Sequence, residues 1–415
     1  METKSKSTPR RSIDVPQTAT LAVVIAMIGA ILALLQNKYG KFSDILGFYG
    51  MHFADGQNQW PFSTRTLLGS NQELHPVEYP ALTGLVMWLF SFLVAPVHNA
   101  WTDYFRLTAT AHIILFGFVA LYLKKLSSRN LAVIFAISPA VLYSLNRNWD
   151  IWAILPMIGA IYLFENKRMT QSAFWLAVSI ATKFFPLVVL LPVAVYYLRN
   201  KQIKEGVRYI GFTLGFWLII NIPFMVINFR GWSYFYEFSY RRSIGSASFF
   251  EIASVLGYPL PNANLLFYVF NLAALGLVLL YLTKSKKVIS IAEGSFFTMF
   301  AFILFNKQYS MQYVIWLASL AVLTISYLSR ERQAKMIIFY GMWQVSEIVF
   351  QYAFFQHILT SSFAGTATPA SPQVTATDYG VAGLIRYSLA VIFTFALAHY
   401  LNAQRKQDAS TNKAG

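Results

Sequence analysis

Apolar runs of roughly 17–25 residues recur along almost the whole chain, and a helix of that length crosses a bilayer. The runs are continuous rather than alternating, which excludes membrane-spanning strands. The expected spans are about 18–36, 105–123, 131–147, 151–165, 171–182, 184–198, 207–225, 263–282, 288–305, 311–328, 336–357 and 384–402. A chain patterned this way is an all-α integral membrane protein with about 12 transmembrane helices. Of its 415 residues only 12% are charged, about half the share in a soluble domain. The chain therefore divides into a basic N-terminus (1–17), one transmembrane module (18–402) and a polar tail (403–415). No small-x-small cleavage site follows the first apolar run, so that run reads as an uncleaved span and not a signal peptide.

Charge sets the orientation. The net charge is +16, yet the basic residues sit in short clusters between apolar runs. That is the positive-inside pattern and not a nucleic-acid surface. One further apolar run, 81–97, decides the topology. If it does not cross, the clusters KKLSSR (124–129), ENKR (165–168), RNKQIKEGVR (199–208), TKSKK (283–287), SRERQAK (329–335) and QRKQD (404–408) all share the cytoplasmic side with the N-terminus. That side then holds 22 of the 33 Lys and Arg residues. If 81–97 crosses, every later cluster flips outward. The run is therefore expected to lie in the outer interface, sheltered by protein. Both termini are then cytoplasmic, in a multi-pass protein of the plasma membrane. The outer loops are 37–104, 226–262 and 358–383, the last rich in Ser, Thr, Ala and Pro.

Ten of the 17 acids fall outside or mid-membrane on this topology. Ionisable groups at that depth are costly, so their concentration on the outer face marks a functional surface. Four constellations stand there. YGKFSD (39–44) places Asp44 beside an amphipathic stretch, where it fits either a general base near hydrocarbon or a helix cap. HPVEYPALTG (75–84) holds Glu78 and Tyr79 between two prolines that fix an extended approach. Glu78 suits sugar hydroxyls, support of Asp44, or a cap on the next helix. SLNRNWDIW (144–152) gathers Asn146, Arg147, Asn148 and Asp150, a set suited to hydroxyl recognition or to an ordinary polar hairpin. FNKQYSMQYVIW (305–316) carries Lys307, Gln312 and Tyr313, with Gln312 and Trp316 on one helix face.

Cations complete the picture. Lys183 in ATKFFPL (181–187) lies at an outer helix end, either snorkelling or functional. Arg241 and Arg242 follow the aromatic stretch of the second outer loop. Cations and aromatics at this depth suit the phosphate of a lipid head group. Cysteine is absent, and no Walker loop, dinucleotide glycine fingerprint or HExxH occurs. No cofactor is expected, and nothing in the sequence supports a metal site.

In this order and placement, YGKFSD, EYPALTG, NWD, TKFFPL and NKQYSMQYVIW resemble the GT-C superfamily of membrane glycosyltransferases over about residues 18–400. Within it the chain is most similar to family 87, which includes polyprenyl-phosphomannose-dependent α-1,2-mannosyltransferases and related arabinofuranosyltransferases of actinobacteria. The resemblance implies the GT-C fold, with the first outer loop folded into juxtamembrane helices. It implies a polyprenyl-phosphate-linked sugar donor, with mannose favoured and arabinofuranose also open. The acceptor would be a lipid-linked or polysaccharide glycan of the cell envelope, and the active site extracytoplasmic. By position it makes Asp44 the base that activates the acceptor hydroxyl, without a metal. On that reading Lys183, Arg241, Arg242 and Lys307 hold the donor phosphate, and Glu78, Tyr79, Asn148, Asp150, Gln312 and Tyr313 orient sugar or acceptor. Family members with a large C-terminal outer domain differ from this chain, which reads as the catalytic module alone. The rival readings are a transporter or flippase of lipid-linked glycans, for which Glu347 in mid-span is the one support, and a non-catalytic partner in envelope assembly.

Overall fold

A computed structural model describes Met27 and residues 43–53, 60–66, 73–94, 100–285, 287–362 and 374–414. The first expected span (apart from Met27), Asp55 and residues 363–373 of the third expected loop lie outside these residues. The described chain is all-α apart from one small ribbon. That ribbon pairs Arg65–Thr66 (β1) with Glu73–Leu74 (β2), antiparallel.

Among the described residues, four helices are long and apolar enough to cross a membrane by length and composition: Ala100–Leu126 (α3), Ile203–Ile227 (α9), Ala263–Lys284 (α12) and most of Ala376–Ala414 (α16). Arg330–Ser362 (α15) is longer than α3, α9 and α12 but more polar, and it packs along α16. The other apolar helices are shorter: Ile151–Glu165 (α6), Met169–Thr182 (α7), Leu190–Arg199 (α8), Ile291–Leu304 (α13) and Tyr313–Ile325 (α14). A 15-residue helix spans about 22 Å, less than the hydrocarbon thickness. Such helices suit the bundle interior, where protein and not lipid surrounds their ends. α14 illustrates this, with every one of its residues buried.

The expected span 131–147 is broken. It forms Arg129–Ala136 (α4) and Pro139–Ser144 (α5), because Pro139 starts a new helix at its first position. Pro186 sits at the second position of a 3₁₀ turn, Phe185–Val189, between α7 and α8. The ambiguous run yields an 11-residue helix, Ala81–Ser91 (α2), about 16 Å long and so too short to span.

The first loop folds into its own small core. Asp44–His52 (α1) buries Ile45, Phe48 and Tyr49 against α2, α3, Trp149 and Phe224. Phe48, Tyr79 and Trp149 pack edge-on at 5.2–6.0 Å between ring centres. Each such buried aromatic stabilises the loop by about 1.5–3 kcal/mol. The amphipathic helix Phe229–Arg241 (α10) closes over this core. Asn228 caps α10, accepting from Gly231 N (3.0 Å) and donating to Phe62 O (2.8 Å). A Cβ on Gly231 would lie 1.6 Å from that same Phe62 O, so only glycine permits the approach. The remaining helix, Phe249–Val255 (α11), packs on α16.

Candidate active site

A cavity of about 470 Å³ opens where these pieces meet. α1 supplies Asp44, the turn before α2 supplies Glu78 and Tyr79, and the end of α7 supplies Lys183. α10 and the residue after it supply aromatics and Arg242. The segment between α13 and α14 supplies Lys307, Gln308, Ser310 and Gln312, with Tyr313 opening α14. Segments remote in sequence thus bring together Asp44, Glu78, Tyr79, Lys183, Arg242, Lys307, Gln312 and Tyr313.

Asp44 is held at the first turn of α1 by two sets of hydrogen bonds. The helix is capped by Ser43 and not by Asp44: Ser43 Oγ accepts from Ile45 N (3.3 Å) and donates to Asn146 O (2.7 Å). Asp44 N donates to Arg147 O (2.9 Å). The carboxylate is therefore free to face the cavity. Burial raises its pKa from 3.8 to about 6, with Lys183 and Arg147 opposing and Asp150 and Glu78 adding to the rise. Glu78 does not cap α2, whose cap is Pro80 with no side-chain bond. Burial also raises the Glu78 pKa, against the charges of Arg242 and Lys183.

Lys183 sits at the end of α7, over the Tyr79 ring at 4.7 Å. Its ammonium lies 2.7 Å from Asp150 Oδ1. The other Asp150 oxygen accepts from Trp316 Nε1 (2.9 Å). Thr83 of α2 donates to Thr182 O (2.5 Å), tying the first loop to the turn that carries Lys183. Lys307 donates to Tyr240 O (3.0 Å) and rests over Phe267 and Tyr268 at 5.4 and 5.8 Å. Burial holds its pKa below the usual lysine range.

Three expected site residues do not line the cavity. Arg241, the last residue of α10, turns outward, 75% exposed, and pairs with Glu237 at 2.9 Å. Arg242, just past the helix end, turns inward instead. Asn148 is buried beneath the cavity, its Oδ1 accepting from Asp150 N (3.0 Å). Asp150 is 1% exposed, with both oxygens taken up by Lys183 and Trp316. Its placement makes it the support of Lys183 and not a group facing sugar.

Other residues hold the site without touching it. Arg147 stacks on Tyr143 and Phe355 at 4.6 and 3.8 Å. His112 Nδ1 lies 3.2 Å from Leu145 O, steadying the 145–150 turn. Glu347 is fully buried and paired with Arg386 at 2.8 Å, and Arg386 donates to Tyr309 O (2.8 Å). This pair anchors the segment bearing Lys307 and Gln312. Gln308, Ser310, Tyr236 and Tyr240 also line the cavity. Tyr236 and Tyr240 lie four apart on α10, a spacing visible in the sequence. Among the described residues no group of three or more acidic or histidine side chains is placed to hold a metal ion.

No known family model matches the chain, and no curated protein sequence matches it. Among solved structures the chain is similar to the crystal structure of ArnT from Cupriavidus metallidurans bound to undecaprenyl phosphate. The TM-score is 0.43 at 12% identity, covering 94% of this chain and 78% of that one. A likeness that distant assigns this chain neither an activity nor a substrate.

Proposed function

We propose that the chain is a membrane glycosyltransferase of GT-C type that moves a sugar, with mannose favoured and arabinofuranose the alternative, from a polyprenyl-phosphate donor to an acceptor hydroxyl. One observation carries the reading: a carboxylate with a pKa of about 6 shares a cavity with Lys183, Arg242 and Lys307. A base tuned near neutrality and cations suited to a departing phosphate are the two requirements of this chemistry. The aromatic faces of α10 and α12 on the cavity wall suit a prenyl chain entering from the membrane.

In the proposed reaction Asp44 takes the proton of the acceptor hydroxyl. The hydroxyl oxygen attacks the anomeric carbon in line, with inversion. The bond from that carbon to the phosphate oxygen breaks, and its electron pair leaves with the polyprenyl phosphate. Lys183, Arg242 and Lys307 neutralise the charge that develops there. Glu78, Tyr79, Gln312 and Tyr313 orient donor or acceptor, and Asp150 positions Lys183. The acceptor is a lipid-linked or envelope glycan on the extracytoplasmic face.

A transporter of the same lipids draws little support from Glu347. That acid is fully buried, paired with Arg386 and bonded to Tyr309 and Trp343. The test is purified full-length chain in proteoliposomes with polyprenyl-phosphate mannose or arabinofuranose and candidate glycolipid acceptors. Sugar transfer by the wild type and its loss in Asp44→Asn are expected. Movement of the donor across the bilayer without transfer would establish the transporter instead.

A further inference from the structure

A second cavity, of about 580 Å³, lies at the end of the bundle away from Asp44. α9 sets the separation: Glu205 lines this cavity, and Phe224 of the same helix, in the Asp44-side core, lies about 28 Å further along it.

Two helix ends of the same design build the cavity wall. α6 ends at Asn166 and α8 at Asn200. Each Asn donates from Nδ2 to a Tyr carbonyl four residues back, at 2.7 and 2.8 Å. Each is followed by a lysine in the left-handed region, Lys167 at φ 61° and Lys201 at φ 57°. Each turn is closed in the same way, Arg168 N donating to Leu163 O and Gln202 N to Tyr197 O, both at 2.9 Å. Glycine takes that backbone conformation freely and lysine does not. At both turns a lysine holds a position where the backbone favours glycine, and of the two Lys167 lines the cavity.

The lining supplies matching chemistry. Lys167 Nζ lies 3.4 Å from Tyr196 Oη, and the Arg208 guanidinium rests over Phe212 at 5.2 Å. Neither cation is in an ion pair among the described residues. The lining holds the cations Lys167 and Arg208 and the acid Glu205, and Glu165, Arg168, Lys201 and Lys204 stand close to them in sequence. Beyond this polar end the surface turns apolar. Thr170 is shared with an adjoining groove that contains Phe174 and Phe216. Phe212, Phe216 and Phe174 form a continuous ladder, with ring centres 6.2 and 5.5 Å apart. Phe174 and Phe212 are 43% and 37% exposed.

We propose that this is a binding site for an anionic glycerophospholipid of the leaflet at that end. Lys167 and Arg208 hold the head-group phosphate, and an acyl chain lies along Phe212, Phe216 and Phe174. A free phosphate would use the cations and leave the aromatic ladder idle, whereas a lipid uses both.

Thermal unfolding of the full chain in detergent tests this, with phosphatidylglycerol, phosphatidylcholine or inorganic phosphate added. Phosphatidylglycerol is expected to raise Tm in proportion to its concentration, and the other two are not. Lys167→Gly relieves the backbone, so its Tm without lipid should equal or exceed that of the wild type. Its affinity for phosphatidylglycerol should fall about fivefold, as should that of Arg208→Gln, and about thirtyfold in the double variant. Equal stabilisation by inorganic phosphate would reduce the site to a plain anion site. An undiminished phosphatidylglycerol response in the double variant would overturn the proposal, and Arg208→Gln decides alone if Lys167→Gly fails to fold.

Discussion

Replacing Asp150 by Asn removes one charge from beneath the cavity while keeping an acceptor for Trp316. Lys183 and Asp150 are 2.7 Å apart, with 14% and 1% of their side chains exposed. Breaking a pair that deep by removing one partner costs about 3–5 kcal/mol, nearer 3 here because Lys183 also faces the cavity. The two single variants have opposite effects on Asp44. Asp44 is raised to about 6 by burial, with Lys183 the largest opposing influence and Asp150 adding to the rise. Asp44 acts as a base only when ionised, so activity falls as pH drops through its pKa. Asp150→Asn should therefore move the acid limb of the rate profile to lower pH, and Lys183→Met should move it to higher pH. The double variant should recover part of the lost stability, because neither charge is then left buried alone. The assays are initial rates of sugar transfer across the acid range and thermal unfolding in detergent. Limbs that shift the same way in both single variants, or a strictly additive double variant, would refute the coupling.

Arg241→Ala should change transfer less than about threefold, since an exposed Arg–Glu pair contributes about 0–1 kcal/mol, while Arg242→Ala should lower kcat/KM by tenfold or more; steady-state kinetics separate them. Gly231→Ala sets a Cβ against the Phe62 backbone and should cost about 1–3 kcal/mol, read as a lower Tm. Arg386→Leu leaves Glu347 buried without its partner and should cost about 3–5 kcal/mol. The residual folded enzyme should show a raised KM for the donor, because the segment carrying Lys307 loses its anchor.

The cluster around Asp44 is visible in the sequence because ionisable groups are expensive near a membrane. Asp44, Lys183 and Lys307 stand out as charges at helix ends or in loops where the apolar pattern gives no structural reason for them. Arg241 and Arg242 could not be separated the same way. They are adjacent in sequence, and the end of α10 falls between them, sending one to Glu237 and the other into the cavity. In the sequence Asp150 stands among polar neighbours that suit hydroxyl recognition. Its partners, Lys183 and Trp316, come from distant helices that only tertiary packing brings together. Pro139 breaks the expected span 131–147, and the apolar run continues across it without a charged residue to mark the break. The short lengths of α6, α13 and α14 were not legible, because an apolar run does not reveal whether lipid or protein surrounds it.

The most direct measurement is the pH dependence of sugar transfer by purified wild-type chain and by Asp44→Asn, with a polyprenyl-phosphate sugar donor. The wild type should lose activity below about pH 6, tenfold for each further unit. Asp44→Asn should fold normally, retain at most about one part in a hundred of the rate, and show no limb near pH 6. Wild-type rates in Asp44→Asn, or an acid limb unmoved by the substitution, would contradict the assignment of Asp44 as the base.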